Sequence, residues 1–292
     1  MVRLRRTMLF IPGNNPGMLQ SAGILGADSV ILDLEDAVSI TEKDAARILV
    51  REALKNLDFN GAEVVVRINP LSSEFGLEDI KIIAEAKPDV ILIPKADKEQ
   101  IETVDRILSN IETEKGFEKG SIKLIPLIET AFGLETIFSV IQSSDRNIAV
   151  LLGGEDLTAD LGIKRTKAGD EILYARNKVA VACRAGRIDA IDTPFTDTED
   201  VEGLKIDTIK AKSLGFTGKA VISPRHVDSI HEVFAPSEQE LAYAVRVFEA
   251  KEIAEQEGKG VFSLEGKMID APIINRAKNT IELAKKVGLI DV

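Results

Sequence analysis

The stretch IKLIPLIE, residues 122–129, is a short apolar run that ends in a carboxylate, and IAVLLGGED, residues 148–156, repeats the pattern. Both runs are almost continuously hydrophobic, whereas a strand with one face in water would alternate apolar and polar residues. They are therefore typical of parallel strands buried on both faces. Six further runs of this kind occur: TMLFI (7–11), SVILDL (29–34), EVVVRI (63–68), DVILIP (89–94), IDAIDT (188–193) and KAVIS (219–223).

The segments between the runs have helical spacing. Helices are predicted over residues 41–57, 98–111, 134–142, 171–185 and 201–214. Thr41 is the predicted N-cap of the first helix, and its predicted apolar face consists of Ala45, Ile48, Leu49 and Leu54. Eight strand–helix units joined by right-handed crossovers predict an α/β fold, a (β/α)8 TIM barrel. An open doubly wound sheet is the competing fold, but no GxGxxG follows the first strand.

The predicted barrel domain covers residues 1–225, and a C-terminal helical extension covers residues 226–292. The extension contains the last barrel helix, a predicted helix over 238–256, the turn-rich segment EGKGVFSLEGKMIDAP (257–272) and a predicted helix over 273–287. Because it is too long to be one barrel helix, we expect it to cap the barrel or to contact a neighbouring subunit.

The composition restricts the classes of partner. The chain has 292 residues, a net charge of -11 and one cysteine. An excess of carboxylates repels phosphate backbones, which argues against nucleic acid. No apolar stretch approaches the ~20 residues that a membrane helix needs, and the N-terminal run MLFIP is too short for a signal-peptide core. We therefore expect a cytoplasmic protein without membrane contact, in which Cys183 is a buried hydrophobe that forms no internal disulfide.

Charged side chains follow most of the predicted strands, and in a barrel the carboxyl ends of the strands share one rim. Carboxylates that converge there repel one another unless a cation lies among them. Oxygen ligands suit a hard cation such as Mg²⁺. The two histidines, His226 and His231, are predicted at surface helix positions, which argues against a histidine-based zinc site. The charged rim residues are Asp33, Glu35, Asp36, Arg67, Lys95, Glu129, Glu155, Asp156 and Asp192.

Two pairs of carboxylates compete as ligands for this metal. Glu129 and Asp156 come from adjacent strands, and the glycines at 153 and 154 allow backbone to approach a ligand closely. By spacing alone Glu35 and Asp36 are equal competitors. An ion pair with a nearby lysine or arginine is the alternative interpretation of each of these acids.

Arg67 and Lys95 are the predicted positive groups of the rim. Arg67 could clamp a substrate carboxylate through two parallel hydrogen bonds. Lys95 could form a Schiff base, but we favour the interpretation in which it neutralises neighbouring acids, because a metal already supplies the electrophile.

At these residues the chain resembles the citrate lyase β-subunit and acyl-CoA lyase group of the metal-dependent aldolase and citrate lyase superfamily. In this order and spacing the shared motifs are specific, and they extend over nearly the whole chain. They are RRTMLFIPGNNPGML (5–19), DLEDAV (33–38), RINP (67–70), LIPKAD (92–97), PLIETAFGL (126–134), GGEDL (153–157), GFTGKAVISPRHV (215–227) and SLEGKMIDAP (263–272).

The resemblance implies a (β/α)8 fold, Mg²⁺ held by Glu129 and Asp156, and a substrate carboxylate bound by Arg67. Glu129 and the backbone at Gly154 are expected to contact the substrate as well. The resemblance further implies that Glu35 and Asp36 hold metal-bound waters. It also implies that Asp270 reaches into a neighbouring subunit's site and handles the proton on the acyl methyl carbon. A turn residue in a glycine-containing loop is the alternative interpretation of Asp270.

The resemblance also implies a homo-oligomer, usually a trimer or hexamer, and a complex with an acyl-carrier subunit and a transferase subunit. Ser223 in ISPR (222–225) is typical of the citrate lyase branch, whereas many standalone acyl-CoA lyases have IHP there. The expected reaction is cleavage of a citryl thioester, carried on ACP or CoA, to oxaloacetate and an acetyl thioester. The alternatives are a citramalyl-CoA or malyl-CoA lyase, a malyl-CoA thioesterase, and a non-catalytic scaffold barrel, against which the joint presence of Glu129, Asp156 and Arg67 argues.

Overall fold

Eight parallel strands close into a barrel in the order β1 to β8. The computed structural model describes residues 3–256 and 261–290. Every predicted apolar run overlaps one strand, so the predicted TIM barrel is confirmed. The strands are β1 Thr7–Pro12, β2 Ser29–Asp33, β3 Glu63–Arg67, β4 Val90–Ile93, β5 Lys123–Ile128, β6 Ala149–Leu152, β7 Asp189–Asp192 and β8 Gly218–Val221.

The barrel interior is filled by a cluster that takes buried side chains from all eight strands. Because side chains alternate along a strand, residues two positions further face the same way. Asp33 therefore follows Ile31, Arg67 follows Val65 and Glu129 follows Leu127 on the inward side. The apolar layer thus supports a layer of charges at the carboxyl ends of the strands. Its members are Met8, Ile31, Val65, Val90, Leu92, Ile125, Leu127, Ala149, Leu151, Ile191 and Ala220.

Helices follow the strands and complete the (β/α) units. They are α1 Pro16–Ser21, α2 Lys43–Asn56, α3 Gly76–Glu85, α4 Lys98–Lys115, α5 Ala131–Glu135, α6 Ile137–Gln142, α7 Gly154–Asp160, α8 Leu173–Gly186, α9 Val201–Leu214, α10 Val227–Phe234, α11 Glu238–Gln256 and α12 Ala271–Lys286. The helix predicted over residues 134–142 is in fact two, because the chain breaks helical geometry at Thr136 between α5 and α6.

The predicted start and apolar face of α2 are wrong. Residues Ile40–Glu42 form a 3₁₀ turn, so α2 begins at Lys43 and Thr41 is not its N-cap. Ala45 and Ile48 are exposed, and the buried face consists of Lys43, Ala46, Arg47, Val50 and Ala53. Two cations belong to that face because backbone carbonyls and the Asp79 carboxylate pair with them there.

The histidines also depart from expectation. His226 is only 1% exposed, so it is not a surface residue. His231 is partly buried, with Nε2 2.8 Å from Thr7 Oγ1. Burial lowers the pKa of His231, although Asp28 opposes this effect. Cys183 is buried as predicted, and burial raises the pKa of its thiol to about 12.

The chain divides into two compact units, Met1–His231 and Glu232–Val292. In the second unit α11 and α12 pack with a hairpin of two antiparallel strands, β9 Phe262–Leu264 and β10 Lys267–Ile269. Residues 257–260 of the predicted turn-rich segment lie outside the described residues. The predicted contact of this unit with a neighbouring subunit stays a prediction. No helix in the described part of the chain carries enough apolar length to cross a bilayer.

Candidate active site

A cleft of about 360 Å³ opens at the carboxyl ends of the strands, and its wall includes Asp33, Arg67, Glu129 and Asp156. The sequence predicted that these charges meet at one rim, and the geometry of the barrel brings them together. The floor is apolar and includes Phe10, Leu127 and Leu151. A polar group in this cleft is therefore screened less by water than on the open surface.

Arg67 is fixed by a fork of hydrogen bonds. Its Nε and Nη2 donate to the two carboxylate oxygens of Asp33, each at 2.7 Å, across the β2–β3 register. Nη1 donates to Asp36 Oδ2 at 3.0 Å and lies 3.1 Å from Glu35 Oε2. The guanidinium carbon also lies 4.9 Å from the centre of the Phe10 ring. The arginine is thereby held rigid, with Nη1 as the nitrogen that faces the acidic loop.

The acidic loop after β2, residues 34–36, is fixed by hydrogen bonds to Asp33 and Lys43. Asp33 accepts backbone hydrogen bonds from Glu35 and Ala37, at 2.9 and 3.0 Å. Lys43 Nζ donates to the carbonyl oxygens of Leu34 and Glu35, at 2.8 and 2.5 Å. No sequence signal pointed to Lys43, because its carbonyl partners depend on the path of this loop.

Lys95 follows β4, and its ammonium lies close to three carboxylates. Its Nζ is 3.0 Å from Glu35 Oε1 and 3.8 Å from both Glu129 Oε1 and Asp156 Oδ2. Burial opposes the charge, yet the hydrogen bond to Glu35 and the nearby carboxylates raise the pKa of Lys95 above its ordinary value. A lysine that stays protonated is a poor Schiff-base nucleophile, which favours the neutralising interpretation.

Glu129 is buried and pressed against backbone. A Cβ on Gly153 would lie 2.6 Å from Glu129 Cβ and 2.7 Å from Oε2, so only glycine leaves room for this carboxylate. Its Oε1 accepts the backbone N–H of Lys95 at 2.8 Å. Burial, Glu35 and Asp156 together raise the pKa of Glu129 to about 8. In its ionised form Glu129 would therefore add a negative charge that the side chains around it do not neutralise.

That excess of charge fits a divalent cation held by few protein ligands. Glu129 Oε1 and Asp156 Oδ2 both approach the same point, the ammonium of Lys95. Among the described residues no group of three or more His, Cys, Asp or Glu side chains forms a metal cage. Mg²⁺ needs no such cage, since one or two carboxylates suffice when waters and substrate oxygens complete its octahedron. The donor set is therefore compatible with magnesium, and the assignment of Glu129 and Asp156 as its ligands stays a prediction.

Gly154 and Thr193 also line the cleft. The Gly154 N–H donates to Thr193 Oγ1 at 3.0 Å, and a Cβ on Gly154 would lie 2.9 Å from that oxygen. The predicted contact of Gly154 with substrate stays a prediction. Thr193 gave no signal beyond its place at a strand end.

Asp192 does not belong to the rim, contrary to the prediction. It is fully buried and pairs with Arg176 at 2.9 Å and Lys219 at 2.5 Å. Its neighbour Ile191 points into the barrel, so the alternation of the strand turns Asp192 outward toward α8.

Asp270 belongs to the second unit, where it is the N-cap of α12 and accepts the backbone N–H of Ile273 at 3.3 Å. The cap explains the residue type structurally. Its predicted part in a neighbouring subunit's site stays a prediction.

Comparison with known proteins gives consistent similarities. Residues 6–224 match the family model described as HpcH/HpaI aldolase/citrate lyase. The chain is 43% identical over 290 residues to the citrate lyase subunit beta of Leuconostoc mesenteroides subsp. cremoris, covering 99% of this chain and 96% of that protein. It is 32% identical to the human mitochondrial citramalyl-CoA lyase, covering 97% and 86% of the two chains. The structure of the Mycobacterium tuberculosis protein CitE in complex with magnesium, acetoacetate and coenzyme A superposes with a TM-score of 0.80 at 29% identity, covering 96% and 98%.

Proposed function

Because this chain belongs to the HpcH/HpaI aldolase/citrate lyase family, we propose that it is a Mg²⁺-dependent carbon–carbon lyase that cleaves a citryl thioester to oxaloacetate and an acetyl thioester. The observation that carries the proposal is the convergence of Glu35, Glu129 and Asp156 on one point beside Arg67. The higher identity to a citrate lyase subunit beta than to a citramalyl-CoA lyase, 43% against 32%, supports the citryl substrate.

The proposed metal ligands are Glu129 and Asp156, with Glu35 and Asp36 binding waters around the ion. When bound there, Mg²⁺ supplies a Lewis acid that lowers the pKa of a substrate hydroxyl and polarises the ketone that it becomes. Magnesium in the similar Mycobacterium tuberculosis structure supports this choice of ion.

Arg67 is proposed to orient the substrate through a carboxylate. Nε and Nη2 are engaged by the buried Asp33, so Nη1 is the nitrogen that can exchange its partner. Nη1 lies near two carboxylates, the buried Glu35 and Asp36, whose side chain is 62% exposed. A substrate carboxylate can therefore replace Asp36 at little cost in desolvation, while Glu35 stays in place. The rest of the guanidinium stays fixed, which preserves the orientation of the bound substrate.

The chain must also accept one proton and supply another. Glu35 Oε2 is buried and forms an ion pair with Arg67 Nη1 at 3.1 Å, but it accepts no hydrogen bond. We therefore assign Glu35 Oε2 as the acceptor of the substrate's hydroxyl proton, directly or through a water. The oxygen electron pair then forms the ketone of oxaloacetate while the carbon–carbon bond breaks. The pair from that bond stays on the acetyl thioester as an enolate, and Asp270 is the proposed donor of the proton to its carbon.

The assembly belongs to the same proposal. A citrate lyase subunit beta relationship supports a complex with acyl-carrier and transferase subunits, and we propose a homo-oligomer, a trimer or hexamer, located in the cytoplasm.

The test is incubation with citryl-CoA and Mg²⁺, with and without EDTA, followed by mass analysis of the products. We expect oxaloacetate and acetyl-CoA with the metal and neither with EDTA. Glu129→Gln keeps the size of the side chain but loses the anion, so we expect its rate to fall about 10²- to 10³-fold.

Citramalyl-CoA and malyl-CoA are the comparison substrates. Faster cleavage of either would replace the citryl assignment. Free CoA with an intact hydroxy acid would identify a thioesterase, and full activity of Glu129→Gln would remove the site assignment.

A further inference from the structure

The ammonium group of Lys95 lies among the carboxylates that would hold a divalent cation. We infer that Lys95 is an internal competitor for the metal: its ammonium neutralises the acids in the free protein and must leave them when the ion binds. The inference rests on the proposed function, because it takes the metal site from there. It concerns a different residue and makes a prediction in a different direction.

Three carboxylates from three strand ends surround Lys95 Nζ. Glu35 Oε1 is within hydrogen-bond distance at 3.0 Å, whereas Glu129 Oε1 and Asp156 Oδ2 are ion-pair neighbours at 3.8 Å. An ion ligated by Glu129 and Asp156 would have to approach both oxygens, and two cations so close together repel strongly in a cleft. The ammonium and the metal therefore exclude each other from this position.

The backbone of Lys95 is fixed in the site, whereas its side chain can be displaced by a metal ion. The backbone of Lys95 has φ of 49°, in the left-handed region that residues other than glycine rarely adopt. This turn directs its N–H to Glu129 Oε1 at 2.8 Å, so the backbone fixes Glu129 whether or not the ammonium is present. The side chain is 43% exposed, and its long flexible stem can carry the charge out to water.

The ammonium of Lys95 also makes fewer hydrogen bonds than it can donate. It has three donors, and the described residues offer it one carboxylate within hydrogen-bond distance. Displacement therefore breaks one charge-assisted hydrogen bond and two weaker ion-pair contacts. Metal binding then includes the cost of this displacement, and removal of the ammonium removes that cost.

A purely structural ion pair makes the opposite prediction. If Lys95 only held the acids in place, its loss would let them move apart and metal binding would weaken. Competition predicts that metal binding becomes tighter without Lys95. The sign of the change therefore separates the two explanations.

The experiment titrates the protein with Mn²⁺ as a spectroscopic substitute for Mg²⁺ and measures the free ion by electron paramagnetic resonance. The variants are Lys95→Met, Lys95→Gln and the matched control Lys98→Met. Lys98→Met removes the same charge three residues away. The side chain of Lys98 is 56% exposed, and its Nζ lies 3.6 Å from Glu102 Oε1. We expect the Kd for Mn²⁺ to fall about tenfold to a hundredfold in both Lys95 variants, the range that one charge-assisted hydrogen bond represents, and to stay unchanged in Lys98→Met.

The outcomes separate the two proposals. If the wild-type protein binds Mn²⁺ and both Lys95 variants bind it equally or more weakly, Lys95 is not a competitor, while the proposed metal site stands. An equal gain in Lys98→Met would reduce the effect to general electrostatics and also overturn the inference. If wild type and all variants fail to bind, the metal site itself is wrong and the inference falls with it.

Discussion

Lys43 does not line the cleft but supports the acidic loop beside it. The residue is 9% exposed, and its ammonium donates to the carbonyl oxygens of Leu34 and Glu35. Lys43→Met would leave two buried carbonyls without their charged donor, so we expect the free energy of unfolding to fall by about 1.5–3 kcal/mol. Urea unfolding measures the change.

The control is Lys55→Met on the same helix, where the side chain is 47% exposed and its ion pair with Glu52 is long, at 3.9 Å. This change should alter stability by less than about 0.5 kcal/mol. Equal effects of the two substitutions would show that the acidic loop does not depend on the buried lysine.

For single residues, the alternation of side chains along the strands predicts which residues enter the cleft. The sequence does not predict the buried polar contacts behind the cleft. Glu129 and Arg67 follow inward residues by two positions, so the pattern of the strands places them in the cleft. Asp192 follows an inward isoleucine by one position, and the same rule, applied strictly, turns it outward. The carbonyl partners of Lys43 could not be predicted, because they depend on the path of a loop that no periodicity describes.

Contact between elements explains why a glycine follows β6. Gly153→Ala would place a methyl group 2.6 Å from Glu129 Cβ, which is closer than carbon atoms approach without displacement. We expect a stability loss of about 1–3 kcal/mol and weaker Mn²⁺ binding, because Glu129 must move. Calorimetric titration with Mn²⁺ and urea unfolding give the two readouts.

Gly17→Ala in α1 is the matched control. A Cβ there meets only Asn15 Oδ1, at 3.6 Å, and alanine favours helix. Unchanged metal binding and equal or greater stability are expected. Full Mn²⁺ affinity of Gly153→Ala would mean that Glu129 does not bind the ion in this position.

Arg146 ties the end of α4 to the start of β5 and makes stability depend on pH. Its guanidinium donates to both oxygens of Glu112, at 2.7 Å each, and Glu112 also accepts the backbone N–H groups of Gly120 and Ile122. Burial opposes ionisation, yet these bonds lower the pKa of Glu112 from 4.5 to about 2. A folded-state pKa below the unfolded value stabilises the protein above pH 4.5, and this contribution disappears as pH falls from 4.5 toward 2.

Arg146→Met should therefore destabilise the protein by about 3–5 kcal/mol at neutral pH, because it leaves Glu112 buried without its partner. The loss should shrink as pH falls through that window, since protonated Glu112 no longer needs a cation. Urea unfolding at pH 7 and near pH 3 checks the trend. A deficit independent of pH would assign the effect to packing of the arginine stem.

For the whole molecule, the barrel was predictable because each strand carries its own signal of continuous hydrophobicity, and eight such signals leave few folds. The buried face of α2 was not, since Lys43 and Arg47 count as polar until their partners Leu34 and Asp79 are known. The second unit follows the predicted helices closely. What a sequence of one chain does not contain is the arrangement of copies around it.

The arrangement of copies is testable through Asp270. Asp270→Asn keeps an N-cap, because asparagine caps as well as aspartate, but it loses the acid, so we expect citryl-CoA cleavage to fall about 10²- to 10⁴-fold with Mn²⁺ binding unchanged. Glu129→Gln should also lose nearly all of its activity, by about 10²- to 10³-fold. If Asp270 serves a neighbouring subunit, co-expression of the two variants with different tags creates sites with Glu129 from one chain and Asp270 from the next.

Random mixing should then restore about a quarter of the wild-type rate, since half of the subunits keep Glu129 and half of their neighbours keep Asp270. Co-expression of two differently tagged Glu129→Gln chains is the control and should stay inactive. No recovery in the mixed oligomer would place Asp270 in the site of its own chain, and a fully active Asp270→Asn would leave it only the cap of α12. Because the two variants carry complementary defects, recovered activity requires a site built from two chains, an arrangement that follows from neither the barrel nor the C-terminal unit considered separately.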